Sequence, residues 1–85
     1  MPANAVKYQR IYYHAMEPTR VSSTDLRSVG YEPITMTLEV EFNSGGLYHY
    51  FGVPIVVFDS LMSASSQGQF FHRFIKDRYR YRRLR

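Results

Sequence analysis

The sequence predicts a small α+β domain: an antiparallel three- to four-stranded β-meander with two short helices packed on one face. Three observations predict it. Apolar residues alternate with polar ones between Val29 and Phe51. They then recur at helical spacing from Pro54 to Ile75. The chain has 85 residues, which leaves room for one hydrophobic core and no more. A domain of this size buries only about 60% of its unfolded surface, so its stability margin is thin. Eight Tyr and six Phe help, because large rings bury much area per residue.

Residues 1–21 read either as a loose arm or as an extra strand. The run Tyr8, Gln9, Arg10, Ile11, Tyr12, Tyr13 contains strand formers in imperfect alternation, and Pro18 with Ser22-Ser23-Thr24 marks a break. Val29 and Tyr31 then share one side of a strand, and Glu32-Pro33-Ile34-Thr35 is a turn in which proline fixes φ. The next stretch alternates strictly. Leu38, Val40 and Phe42 face one way; Thr37, Glu39 and Glu41 face the other. That pattern belongs to an antiparallel strand with one buried face.

Asn43-Ser44-Gly45-Gly46 is a hairpin turn, since glycine accepts positive φ, and residues 47–51 return as a strand. Loop length sets which face each side chain of the returning strand occupies. A two-residue loop puts Phe42 opposite Leu47 and His49 on the apolar face. A three-residue loop with a bulge puts Phe42 opposite Tyr48, Val40 opposite Tyr50, and His49 beside Glu41 on the wet face. The second register is preferred, because it buries two rings and leaves the histidine near an acid.

Pro54 suits the first position of a helix over residues 54–64. Pro54, Val57, Phe58, Leu61 and Met62 make one apolar stripe, and Ile55 and Val56 fall off it. They are either covered by the N-terminal arm or form an exposed patch for self-association. Ser65-Ser66-Gln67-Gly68 ends this helix and supplies the N-cap of the next. The second helix carries Phe70, Phe71, Phe74 and Ile75 on its apolar face.

The net charge of +4 is unevenly placed. Residues 72–85 hold seven cations, Arg73, Lys76, Arg78, Arg80, Arg82, Arg83 and Arg85, against one acid, Asp77. The other 71 residues hold four basic and six acidic side chains. Such asymmetry points to an anionic partner. No cysteine is present, which removes disulfides and thiolate metal sites and favours a reducing, cytoplasmic compartment. The longest uncharged apolar run, residues 53–58, is far too short to span a bilayer. The N-terminus lacks the apolar core of a signal peptide.

Taken in order, Val29-Gly30-Tyr31-Glu32-Pro33, residues 38–42, Ser44-Gly45-Gly46, Tyr48-His49-Tyr50, Val53-Pro54, Gly68-Gln69-Phe70-Phe71, Ile75 and Tyr79 resemble the KTSC domain family. That family is named for a domain at the C-terminus of some lysyl-tRNA synthetases. The resemblance runs from Val21-Ser22-Ser23 through Leu84; the expected division is a KTSC-like domain at residues 22–79 and, from the charge placement, a basic tail at 80–85. It implies a short bacterial or phage domain, fused or free-standing, marked by the central Tyr-x-Tyr, for which RNA binding is the usual suggestion. Two features depart from it. Ile55 and Val56 stand where polar or acidic residues are common, and the segment before Ser22 is longer than the family needs.

The candidate chemistry is binding. Residues 78–83, Arg78-Tyr79-Arg80-Tyr81-Arg82-Arg83, alternate cations for phosphate with rings for bases. With Arg73, Lys76 and Arg85 they form the candidate nucleic-acid surface; the plain alternative is a solvated tail whose tyrosines pack back on the domain. Tyr48 and Tyr50 are either a stacking platform on an open sheet or core. Ile55 and Val56 are the candidate protein interface. No cofactor is expected. His14, His49 and His72 lack ligand spacing, so no metal is expected. No serine sits in a nucleophile elbow. Glu39 and Glu41 face solvent, where nothing raises a carboxyl pKa for acid catalysis. Ser44-Gly45-Gly46 joins two strands and does not open a helix, so it is no phosphate loop. The chain is therefore expected to bind rather than catalyse.

Overall fold

The computed structural model describes residues 19–21 and 25–85, with residues 19 and 20 described by their backbone. Five strands form one antiparallel meander in sequence order: β1 (Thr19–Arg20), β2 (Leu26–Glu32), β3 (Thr37–Phe42), β4 (Leu47–Tyr50) and β5 (Tyr81–Arg83). Helices α1 (Ile55–Ser63) and α2 (Gln67–Phe74) lie between β4 and β5 in the chain. The α+β class, the meander and the two helices are those predicted. The expectations for residues 8–13, Pro18 and Ser22-Ser23-Thr24 lie outside the described residues.

Both helices cover the same sheet face. Tyr31 of β2 stacks on Phe58 of α1, with centroids 4.8 Å apart and planes 9° from parallel. Phe71 of α2 meets Phe42 of β3 and Tyr50 of β4 edge to face. Leu26, Val29, Tyr31, Leu38, Val40, Val53, Phe58, Leu61, Phe71 and Ile75 are fully buried. Within the described residues no buried side-chain nitrogen or oxygen lacks a hydrogen-bond partner.

Leu26 and Val29 are three residues apart, yet both are buried. Strict alternation would place them on opposite faces. A bulge at Arg27 resolves this: Leu26 pairs with Phe42 while Ser28 pairs with Glu41.

The β3–β4 turn corrects the expected pairing. Val40 lies opposite Tyr48, Leu38 opposite Tyr50, and Glu39 opposite His49. The predicted faces hold, but the register differs by two residues, and His49 sits beside Glu39 rather than Glu41. The reason lies in the turn. Phe42 N–H donates to the Gly46 carbonyl at 2.8 Å, and Gly45 adopts φ +105°, so the ladder begins directly beyond a three-residue loop. A shift of two preserves every side-chain face.

Pro54 is the N-cap of α1 rather than its first helical residue. Its ψ of 150° is extended, and its carbonyl accepts from Val57 N–H at 2.9 Å. Ser66 caps α2, its hydroxyl accepting from Gln69 N–H at 3.3 Å. The apolar face of α2 needs one amendment. Phe71 and Ile75 are buried, but Phe74 is exposed and rests against Phe70, with centroids 4.8 Å apart.

The largest correction concerns the basic tail. Residues 81–83 are a sheet strand, so no free tail begins at residue 80. Phe51 N–H donates to the Arg80 carbonyl at 2.9 Å, Leu84 N–H to Leu47 at 2.7 Å, and Leu47 N–H to Arg85 at 3.1 Å. The side chains of β5 are all exposed. Its strand character therefore comes from backbone pairing at the sheet edge and leaves no apolar pattern to read.

No helix among the described residues is long and apolar enough to cross a membrane.

Candidate functional site

The pairing of β5 with β4 decides where the tail's side chains go. Tyr81 lies opposite Tyr50, Arg83 opposite Tyr48, and Arg82 opposite His49. Directly opposed residues share a face. Tyr81 and Arg83 therefore stand on the helix side with the Tyr-x-Tyr pair, and Arg82 stands on the far side.

On the helix side, a cleft of 330 Å³ opens between this sheet edge and the C-terminal end of α2. Tyr48, Tyr50 and Tyr81 form its floor, with centroids 5.7 to 6.2 Å apart. Lys76, Asp77, His72 and Arg83 stand around it. The Arg83 guanidinium lies 5.6 Å from the Tyr48 ring centroid, a cation–π arrangement.

The three rings differ in access. Tyr50 is 4% exposed and belongs to the core, Tyr48 is half-buried, and Tyr81 is 59% exposed. Core and platform thus divide the motif: Tyr50 packs, while Tyr48 reaches the cleft from the edge of the core. Burial pushes the Tyr50 phenol up to about 12, with the Tyr48, Tyr81 and Asp77 charges adding to the effect. The tyrosine floor is therefore neutral at Tyr50 across the physiological range.

The remaining candidate cations scatter. Lys76, Arg78 and Arg80 line a shallow hollow beside Phe51 and Tyr79. Arg85 reaches back across the sheet edge, where its Nη2 donates to Glu41 Oε2 at 2.6 Å and its Nε to the Gly45 carbonyl. Arg73 lies over Phe74, 5.5 Å from the ring centroid, and borders a separate surface with Ser66 and Phe70. Tyr79 packs against the core. Of the nine cationic and aromatic candidates in this segment, Lys76, Tyr81 and Arg83 meet in the cleft with the Tyr-x-Tyr motif. Sequence reasoning missed Asp77 and His72 as wall residues; nothing in the local pattern separates them from a solvated helix end.

The family question is settled by comparison. A family model described as "KTSC domain" matches residues 22–79. The chain belongs to the KTSC domain family. This KTSC domain superposes on the crystal structure of a KTSC domain protein from Yersinia pestis with a TM-score of 0.81 and 39% identity, covering 84% of this chain and all of the other. It is 44% identical over 70 residues to a protein of Stutzerimonas stutzeri, covering 81% of this chain and 99% of that one. It is 48% identical over 59 residues to a lysine–tRNA ligase of Nostoc sp., covering 69% of this chain. The KTSC domain spans about a tenth of the length of that ligase. The matched segment includes the Tyr-x-Tyr motif and α2, so the cleft is built largely from KTSC family sequence, while Tyr81 and Arg83 lie beyond the family model.

The opposite sheet face is polar. His49 Nε2 and Glu39 Oε1 lie 2.9 Å apart, and Ser28 Oγ donates to Glu41 Oε1 at 3.1 Å. Within the described residues no group of three or more histidine, cysteine or carboxylate side chains is placed to hold a metal ion.

At the other end of the molecule, Val53 N–H donates to the Met36 carbonyl at 2.9 Å, which brings the β2–β3 turn against the start of α1. Ile34, Met36, Ile55 and Val56 are all exposed there, Ile34 at 68% and Val56 at 67%. Met36 holds φ at 54°, a left-handed conformation unusual for a residue other than glycine.

Proposed function

We propose that this domain is a non-catalytic binding module for single-stranded nucleic acid, RNA in particular, held in the cleft between β4–β5 and α2. One observation carries the reading: Tyr48 and Tyr81 offer ring surface in a concave site that two cations, Lys76 and Arg83, also line. Base stacking on aromatic rings contributes about 1–3 kcal/mol per base. A cation beside the ring neutralises the adjoining phosphate. The volume lies at the lower end of the roughly 300–1,000 Å³ of small-ligand pockets, which suits one unstacked nucleotide better than a duplex. The naming of the Nostoc relative for a tRNA supports RNA over DNA.

The test is fluorescence anisotropy with a labelled single-stranded RNA pool at two salt concentrations. Removing residues 81–85 would delete a strand, so point variants are used. The intact domain binds with a log–log salt slope of about −0.7 for each phosphate neutralised. Tyr81→Ala weakens binding at both salts, and Lys76→Gln flattens the slope by about one phosphate's share. Binding that is unchanged by both substitutions would exclude the cleft, and tighter binding of DNA would exclude RNA as the preferred ligand.

Self-association through the start of α1 is the second reading. It is favoured by the four aliphatic side chains gathered at Ile34, Met36, Ile55 and Val56.

A further inference from the structure

The cleft contains one group that does not suit a phosphate. Asp77 stands in its wall among Lys76, His72 and Arg83. Its carboxylate forms no ion pair among the described residues, although it is the only acid in a segment of seven cations. A phosphate placed against it would be repelled. A ligand group with hydrogen-bond donors would be held, since an ionised carboxylate can only accept.

The bases differ in what they present there. The Watson–Crick edge of guanine carries two adjacent donors, N1–H and the 2-amino group. Adenine and cytosine each offer one amino donor next to an acceptor, and uracil offers one N–H between two acceptors. Two carboxylate oxygens match two parallel donors, and match no other base's edge. A charged acceptor strengthens each bond relative to a neutral one. In a single strand that edge is free to be read.

We infer that the cleft discriminates among bases, and that Asp77 selects guanine by accepting hydrogen bonds from N1–H and the 2-amino group of a base stacked over the tyrosine floor. This rests on the reading of the domain as a single-strand binder. Lys76 and Arg83 take the flanking phosphates, and Asp77 supplies the specificity that cations and rings lack.

The experiment measures dissociation constants for five short, uridine-rich RNAs that differ at one central position: guanine, adenine, cytosine, uracil or inosine. Inosine keeps N1–H and lacks the 2-amino group. The guanine oligomer binds roughly tenfold or more tighter than those with adenine, cytosine or uracil, with inosine between. Asp77→Asn, which replaces one acceptor by a donor at an exposed site, reduces that preference to within about twofold while all five RNAs still bind. Thermal melting confirms that the variant is folded. If the wild-type domain binds all five equally and Tyr81→Ala weakens all five, guanine selection is wrong and the cleft remains the site. If the guanine preference survives Asp77→Asn, Asp77 is not its origin and the inference is overturned. If no RNA binds even at low salt, both guanine selection and single-strand binding are overturned.

Discussion

Tyr31 joins sheet to helix layer twice, by its ring on Phe58 and by its hydroxyl, which donates to the Val53 carbonyl. Burial pushes its phenol up to about 12 from 10.0, with Glu32 and Tyr79 adding to the effect, and Tyr50 rises likewise to about 12. Between those two values the native chain keeps protons that the unfolded chain has lost. Stability is therefore complete below pH 10 and falls as pH rises toward 12, at up to about 1.4 kcal/mol per pH unit for each tyrosine. Tyr31→Phe removes one of these two contributions and leaves the Val53 carbonyl without its donor. Urea unfolding at pH 8 should show a loss of about 1–2 kcal/mol, and the decline between pH 10 and 12 should become shallower than in the parent. A parallel decline in both proteins would mean that Tyr31 does not titrate with folding.

β5 shows how an element can be invisible locally. Tyr81, Arg82 and Arg83 bury nothing fully, and alternation of rings with arginines reads equally as a solvated tail. What makes them a strand is the edge of β4 (Leu47–Tyr50), which is separated from them in the chain by both helices. Truncation after Arg80 removes the backbone hydrogen bonds that join Leu47 to Leu84 and Arg85, each worth roughly 0.5–1.5 kcal/mol, and uncovers Tyr50. The truncated chain should lose about 2 kcal/mol or more and melt several degrees lower, as read by circular dichroism. An unchanged melting temperature would show that β5 contributes nothing to the sheet. The helices are more legible, since Ser66 and the stripe Val57, Phe58, Leu61 are local signals, and α1 buries Phe58 and Leu61 as that stripe requires.

At the scale of the molecule, charge is polarised. No Lys or Arg occurs between residues 28 and 72, where Glu32, Glu39, Glu41 and Asp59 lie. Seven cations follow in residues 73–85, of which Lys76 and Arg83 stand at the cleft, and the aliphatic patch at the β2–β3 turn has none beside it in sequence. The two proposed surfaces thus differ in chemistry and can be tested apart. If the patch mediates self-association, sedimentation over a range of concentrations will show a dimer that Val56→Asp converts to monomer, with RNA binding through the cleft retained. A monomer at every concentration would leave Ile55 and Val56 without that role.

The sequence by itself determined the faces of β3, the N-cap of α2, the two apolar layers and the family, because each is written in neighbours one to four residues apart. For Tyr48 and Tyr50 it gave a preferred register and a one-residue alternative that would have moved both rings to the other face, and the observed pairing decided for the helix-covered side. Only the tertiary structure decided the two-residue register, the bulge at Arg27, the strand at residues 81–83, and the meeting of Tyr81, Arg83, Lys76 and Asp77 with the Tyr-x-Tyr motif. Those depend on pairings between residues far apart in the chain, whose energy comes from backbone hydrogen bonds common to every residue type and so leaves little mark on local sequence.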